Sequence, residues 1–207
     1  DVDVLRPSQA VSIERESAGS NTVAKLVLSP SDDIRVAWKP RSRDVKREKP
    51  VFYAEVSQLY APAAGVIEGA HYVSVRPAQG ELVELILDVP RGMTITDVAS
   101  GGQKLEGKSE KSAVSLWRFD PEARKLRVTL NPAQSKPFAL LVRSQIATGP
   151  IPFEQPVGLI SVDNAAGQIG MVGVATGNEV QLDSVTAEAL SPINLEDFSG
   201  EVLPALQ

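Results

Sequence analysis

Along most of this chain, apolar and polar residues alternate with a period of two. Ile34, Val36 and Trp38 fall on one side of the run 34–38, with Arg35 on the other. Val11–Arg15 and Val23–Leu28 repeat the pattern, as do the strand-like runs Val51–Tyr60, Tyr72–Arg76, Val114–Phe119, Leu126–Leu130 and Phe138–Arg143. A β-strand sends successive side chains to opposite faces, so this periodicity predicts strands with one face buried. Leu82–Val89 is nearly continuously apolar, which fits a central strand. Weaker strand patterns follow at Gly158–Val162, Ile169–Ala175 and Glu179–Asp183.

Turn formers separate these runs at short intervals: Pro30-Ser-Asp-Asp, Pro77-Ala-Gln-Gly, Pro90-Arg-Gly, Asp120-Pro-Glu-Ala-Arg, Asn131-Pro and Thr176-Gly-Asn. Proline fixes φ and glycine permits positive φ, so each ends a strand. No stretch shows a helical period before residues 184–203, where Val185, Ala189 and Leu190 predict a short helix ahead of Pro192. The pattern predicts an all-β, mostly antiparallel, two-sheet β-sandwich over residues 1–183, with residues 184–207 a linker or C-terminal arm. The stretch 40–50, PRSRDVKREKP, has five basic and two acidic residues between prolines and marks a sub-boundary between two blocks of sheet.

Composition narrows the classes. The chain has 207 residues, 43% hydrophobic and 23% charged, as an ordinary folded domain does. No run of apolar residues is long enough to span a membrane as a helix. There is no cysteine, which excludes disulfides, thiol catalysis and cysteine-based zinc sites. The net charge is −5, and residues 144–207 hold eight acidic and no basic residues, so residues 1–143 carry about +3 by difference. The overall acidity argues against nucleic acid as a partner. A first residue of Asp1 fits a processed or excised piece of a longer chain.

The chemistry-bearing residues form no recognised catalytic pattern. His71 is the only histidine and reads as a surface residue where a strand begins. The carboxylate pairs Asp32/Asp33, Glu81/Glu84, Asp120/Glu122 and Glu196/Asp197 lack the defined cleft separation that glycoside hydrolysis needs. Asp32 and Asp33 read as turn residues. Asp163 and Asn164 near Gly167 supply two oxygen donors, but without the spacing of a calcium loop. Gly167, Gly170 and Gly173 lie in a strand-like run with no helix after it, so they read as sites of close backbone approach rather than as a phosphate loop. Thus neither a cofactor nor a metal is expected. Trp38 reads as core, in phase with Ile34 and Val36, and Trp117 and Phe119 share one strand face. Arg91 sits exposed on the Pro90-Arg-Gly turn. The candidate ligand-binding set is Tyr53, Tyr60, Tyr72, Trp117 and Arg91.

The phrase ELILDVPRGMTITDVASG, followed by VSLWRF and RKLRVTL, resembles β-sandwich modules of large, membrane-anchored bacterial envelope proteins of uncharacterised function. The matching positions are Leu85, Leu87, Pro90, Gly92, Ile95, Val98, Trp117, Leu126, Val128 and Leu130. They lie within residues 33–145 and are packing positions, so no catalytic residue carries across. The resemblance implies an extracytoplasmic domain, periplasmic or at the cell surface. The expected function is a non-catalytic structural or protein-interaction module. It would contact another protein or a neighbouring domain through an edge strand or through the acidic C-terminal arm. The alternative is a carbohydrate-binding domain using Tyr53, Tyr60, Tyr72 or Trp117.

Overall fold

The computed structural model describes residues 2–18, 21–40, 49–101, 113–177, 180–198, 200 and 202. The chain divides into two units, Asp1–Asp44 and Val45–Gln207. The division falls inside the basic stretch 40–50.

The first unit holds two separate two-stranded sheets. Strand β1 (Val2–Val4) pairs with β4 (Trp38–Pro40), and β2 (Ala10–Ala18) pairs with β3 (Asn21–Leu28), both antiparallel. Arginines tie the chain locally: Arg6 donates to the Ala10 and Val11 carbonyls, and Arg15 to that of Val4. Pro7 and Ala10 are the buried apolar residues among the described residues of this unit. Ile34, Val36 and Trp38 are all exposed, Trp38 at 66%, which corrects their reading as core. Alternation shows which side chains share a face. It does not supply a second layer to cover that face, and a two-stranded sheet cannot do so by itself.

The second unit contains the β-sandwich, whose strands therefore begin at residue 51 rather than near residue 1. Strands β5 (Val51–Ala63), β6 (Val66–Gln79), β8 (Met93–Gly101), β11 (Phe138–Ala147) and β13 (Gly167–Val174) form a five-stranded sheet in the order β13-β5-β6-β11-β8. Strands β7 (Leu82–Asp88), β9 (Val114–Asp120), β10 (Lys125–Gln134) and β12 (Ser161–Val162) form a four-stranded sheet in the order β12-β7-β10-β9. Every pairing is antiparallel except β13 on β5. The fold is the predicted all-β, mostly antiparallel sandwich.

Its core forms where the inward rows meet. Val56, Val73, Val75, Leu140 and Val142 from one sheet pack with Leu85, Leu87, Leu126 and Val128 from the other. Fully burying each such side chain contributes roughly 1.5–3 kcal/mol. Trp117 and Phe119 pack on the same core from β9, while Leu116 faces out. The outer face of the five-stranded sheet is partly covered by the C-terminal segment. Phe198 and Val202 pack there with Leu59, Ala70, Tyr72 and Leu141. The helix expected ahead of Pro192 does not form: described residues 180–194 have no regular structure, and a 3-10 turn, Leu195–Asp197, follows. Within the expected arm, Phe198 and Val202 are thus docked on their own unit.

Candidate functional site

Strand β6 begins five residues before the histidine, because the chain reverses at Ala64-Gly65, where Gly65 takes φ +83°. His71 therefore lies mid-strand, in phase with Val73 and Val75, and points into the sandwich. It is 0% exposed, which corrects its reading as a surface residue. Gln58 on β5 and Ser144 on β11 point inward beside it. His71 Nε2 lies 2.7 Å from Ser144 Oγ, and His71 Nδ1 lies 3.1 Å from Gln58 Oε1.

The protons in this network can be placed. The Gln58 amide spans the backbone of Ile160: its Nε2 donates to the Ile160 carbonyl at 3.1 Å, and the Ile160 N–H donates to its Oε1 at 2.8 Å. Oε1 is therefore the atom facing His71, so Nδ1 carries the hydrogen and Nε2 accepts from the Ser144 hydroxyl. Burial favours the neutral ring, lowering the His71 pKa from 6.5 to about 3. Tyr60 packs edge-on against the ring, with centroids 5.5 Å apart, and donates its hydroxyl to the Gly158 carbonyl at 2.6 Å. Burial pushes its phenol pKa up.

A serine, a histidine in the base tautomer and an oriented acceptor behind it are the parts of a nucleophilic triad, with an amide where a carboxylate usually stands. Here Ser144 is 2% exposed and faces the sandwich interior. The hydroxyl has no approach for a substrate carbonyl. Gln58 and Tyr60 together pin the segment around Gly158–Ile160 across the sandwich. Gly69 makes the close approach possible, because a Cβ there would sit 2.3 Å from Ser144 Oγ and 2.7 Å from His71 Nε2.

The five candidate ligand residues do not converge. Tyr60 is 1% exposed, so its ring cannot stack on a ligand, which corrects its place in the set. Trp117 is half-buried against the core from the four-stranded sheet. Tyr53 and Tyr72 both face outward from the five-stranded sheet. Tyr72 packs in the cluster under Phe198 and Val202, and Tyr53, 53% exposed, lies beside Gly167. Arg91 is exposed in a turn closed by the Met93 N–H on the Pro90 carbonyl, with Gly92 at φ +81°. The turn is held from the neighbouring sheet. Arg124 donates to the carbonyls of Val89, Pro90 and Met93, and its guanidinium sits 5.0 Å from the Phe119 ring centroid.

Several of the carboxylates have local partners. Asp33 pairs with Arg35, and Glu84 with Arg127. The N–H groups of Ala123 and Glu122 bind Asp120 Oδ1 and hold its carboxyl below the ordinary range. Lys125 bridges Asp88 at 2.7 Å and Asp163 at 3.1 Å. Asp163 thus answers a lysine. Among the described residues no group of three His, Asp or Glu side chains is arranged to hold a metal ion.

Strand β13 corresponds to one of the three weaker strand patterns in the sequence, Ile169–Ala175. It forms one edge of the five-stranded sheet. Its eight residues, GQIGMVGV, contain no charge and no proline, and Ile169 is 69% exposed. Its glycines serve close approach as expected: Tyr53 lies against Gly167, and Phe198 and Leu59 against Gly173. Gln168 accepts from the Val162 N–H at 2.7 Å, fixing the sheet-to-sheet crossing that precedes β13.

No family model matches the chain, and no curated protein matches it. Among solved structures, it is similar to the M1 zinc metallopeptidase of Deinococcus radiodurans at 19% identity, over 47% of this chain and 20% of that one, with a TM-score of 0.32. A mutant of the same enzyme matches at 18% identity over the same shares, with a TM-score of 0.33. The chain spans about a fifth of the length of these proteins.

Proposed function

We propose that this chain is a non-catalytic structural and protein-interaction module of an extracytoplasmic bacterial envelope protein, and that it makes contact through the edge of its five-stranded sheet. The observation that carries this reading is β13. An edge strand presents a row of backbone donors and acceptors, and folded proteins ordinarily guard such edges with charge, proline or brevity. Eight uncharged residues with an outward isoleucine are unguarded. Strand addition to such an edge draws affinity from main-chain hydrogen bonds and specificity from alternate side chains.

The test is photo-crosslinking from position 169 in an envelope fraction, beside a thermal-melt screen against oligosaccharides. Protein adducts and an unchanged melting temperature are expected. A sugar at about 100 times its Kd would add roughly 2.7 kcal/mol of stability. A shift of that size with one sugar class, and no protein adduct, would replace this reading with the carbohydrate-binding one.

A further inference from the structure

We infer that the outer face of the five-stranded sheet is a docking seat for a peptide segment that carries a phenylalanine and, four residues on, a valine. Its resident is the chain's own C-terminal segment, which Phe198 and Val202 hold there as a releasable strap. Neither statement depends on what pairs with the β13 edge.

The seat is built by strand register. On the outer face, Gly173, Leu59 and Ala70 lie in one row across β13, β5 and β6, and Tyr72 and Leu141 lie in the next row across β6 and β11. The small residues Gly173 and Ala70 leave a hollow on each side of Leu59. Phe198 fills the one at Gly173, where a Cβ would sit 3.2 Å from Phe198 Cζ and 3.3 Å from Leu59 Cδ1. Val202 packs in the same cluster and is fully buried. Around the seat this face is charged: Glu68, Arg76, Asp97 and Arg143 are exposed. An apolar hollow rimmed by charge has the make-up of an interaction site, and here the structure shows the occupant.

The hold is confined to those two side chains. Among the described residues, the last hydrogen bond from this end of the chain to the sandwich is the Ala175 N–H on the Tyr60 carbonyl, at 2.9 Å. Every residue from 181 to 197 is exposed. The turn Leu195–Asp197 closes only on itself, with the Asp197 N–H on the Asn194 carbonyl and the Phe198 N–H on that of Leu195. Two apolar side chains on a long tether make a weak peptide complex, kept closed because the tether raises the segment's local concentration to about millimolar. Such a strap opens without unfolding the sandwich, whose core lies on the other face of the sheet.

Fluorescence anisotropy of a labelled peptide, residues 193–207, tests this on the full chain. Phe198→Ser with Val202→Ser empties the seat and leaves every strand untouched, and circular dichroism checks the fold. The peptide is expected to bind this variant about tenfold or more tighter than the wild type, whose own strap competes. A peptide with the same two substitutions should bind neither. Adding Gly173→Ala to the double variant narrows the hollow and should weaken binding. No binding up to about 1 mM, or equal affinity for variant and wild type, overturns the inference. Should the double variant not fold, a protease site placed within residues 184–190 takes its place. After cleavage the labelled peptide must exchange with the bound arm while the dichroism stays unchanged. A cleaved chain that unfolds, or whose arm does not exchange, makes the arm a fixed part of the fold and overturns the inference as well.

Discussion

At the scale of single residues, His71 is a closely constrained side chain. Neutral and buried, it is fixed as the Nδ1–H tautomer by an amide that is itself fixed by the Ile160 backbone. The groups around it are Gln58, Tyr60 and Ser144, and none carries charge near neutral pH. A proton added to the ring finds no anion. The unfolded chain binds that proton with the ordinary pKa of 6.5, the folded chain only near 3. The unfolded state therefore holds more protons throughout this window, and stability falls as pH falls from 6.5 towards 3. The slope from this one group approaches about 1.4 kcal/mol per pH unit. Urea denaturation at several pH values between these limits, compared with His71→Gln, should show the extra slope in the wild type only. Equal slopes would mean that the ring is reached by water or by an anion. Gly69→Ala probes the same network by crowding. Its Cβ would drive Ser144 and His71 apart, so a loss of roughly 1–3 kcal/mol is expected by chemical denaturation. A loss below a few tenths would show that the strand relaxes around it. The network was hard to see in the sequence because its members lie 13 and 73 residues apart. The one usable signal was phase: His71 keeps step with Val73 and Val75 once the strand is extended back to Gly65.

At the scale of elements, alternation located the strands because it is a local property enforced by the pleat. Leu85, Leu87, Leu126 and Val128 were legible as core for that reason. Alternation failed at Trp38, where no second layer exists among the described residues of the unit, and at residues 184–191, where Val185 and Leu190 suggested a helix without any face to bury. It was also silent on what holds turns. Arg91 drew notice in the sequence, yet the residue that organises its turn is Arg124, which reaches across from the turn between β9 and β10. Arg124 satisfies three carbonyls with one planar fork, and the Val89 N–H returns a bond of 2.9 Å to its own carbonyl. Hydrogen bonds from a charged donor contribute more than neutral ones, so Arg124→Met should cost about 2 kcal/mol in chemical denaturation, and Arg124→Lys should recover only part of it. Arg91→Ala, by contrast, should be neutral within about 0.5 kcal/mol, as exposed turn positions usually are. If the Arg91 change proved the costlier of the two, the clamp assignment would be wrong.

At the scale of the molecule, the two units differ in what can hold them together. Residues 45–207 contain two facing sheets with a continuous apolar core, and their outer face gains cover from Phe198 and Val202. Residues 1–44 contain two two-stranded sheets and bury only Pro7 and Ala10 among their described apolar residues, leaving Leu5, Val11, Val27, Ile34, Val36 and Trp38 exposed. Sheets of two strands are marginal in water without a face to pack against. The sandwich fragment 45–207 should therefore unfold in a single cooperative transition with near-ultraviolet dichroism from Trp117. The fragment 1–44 should show neither a cooperative melt nor slowed amide exchange in β2 and β3. A cooperative transition in the short fragment would mean that its local ties, chiefly Arg6 and Arg15 on backbone carbonyls, stabilise it far beyond what exposed hydrogen bonds ordinarily do. With the expected result, the exposed valines and Trp38 become surface that folds only against something else. The interaction reading would then extend from one sheet edge to the chain's first unit.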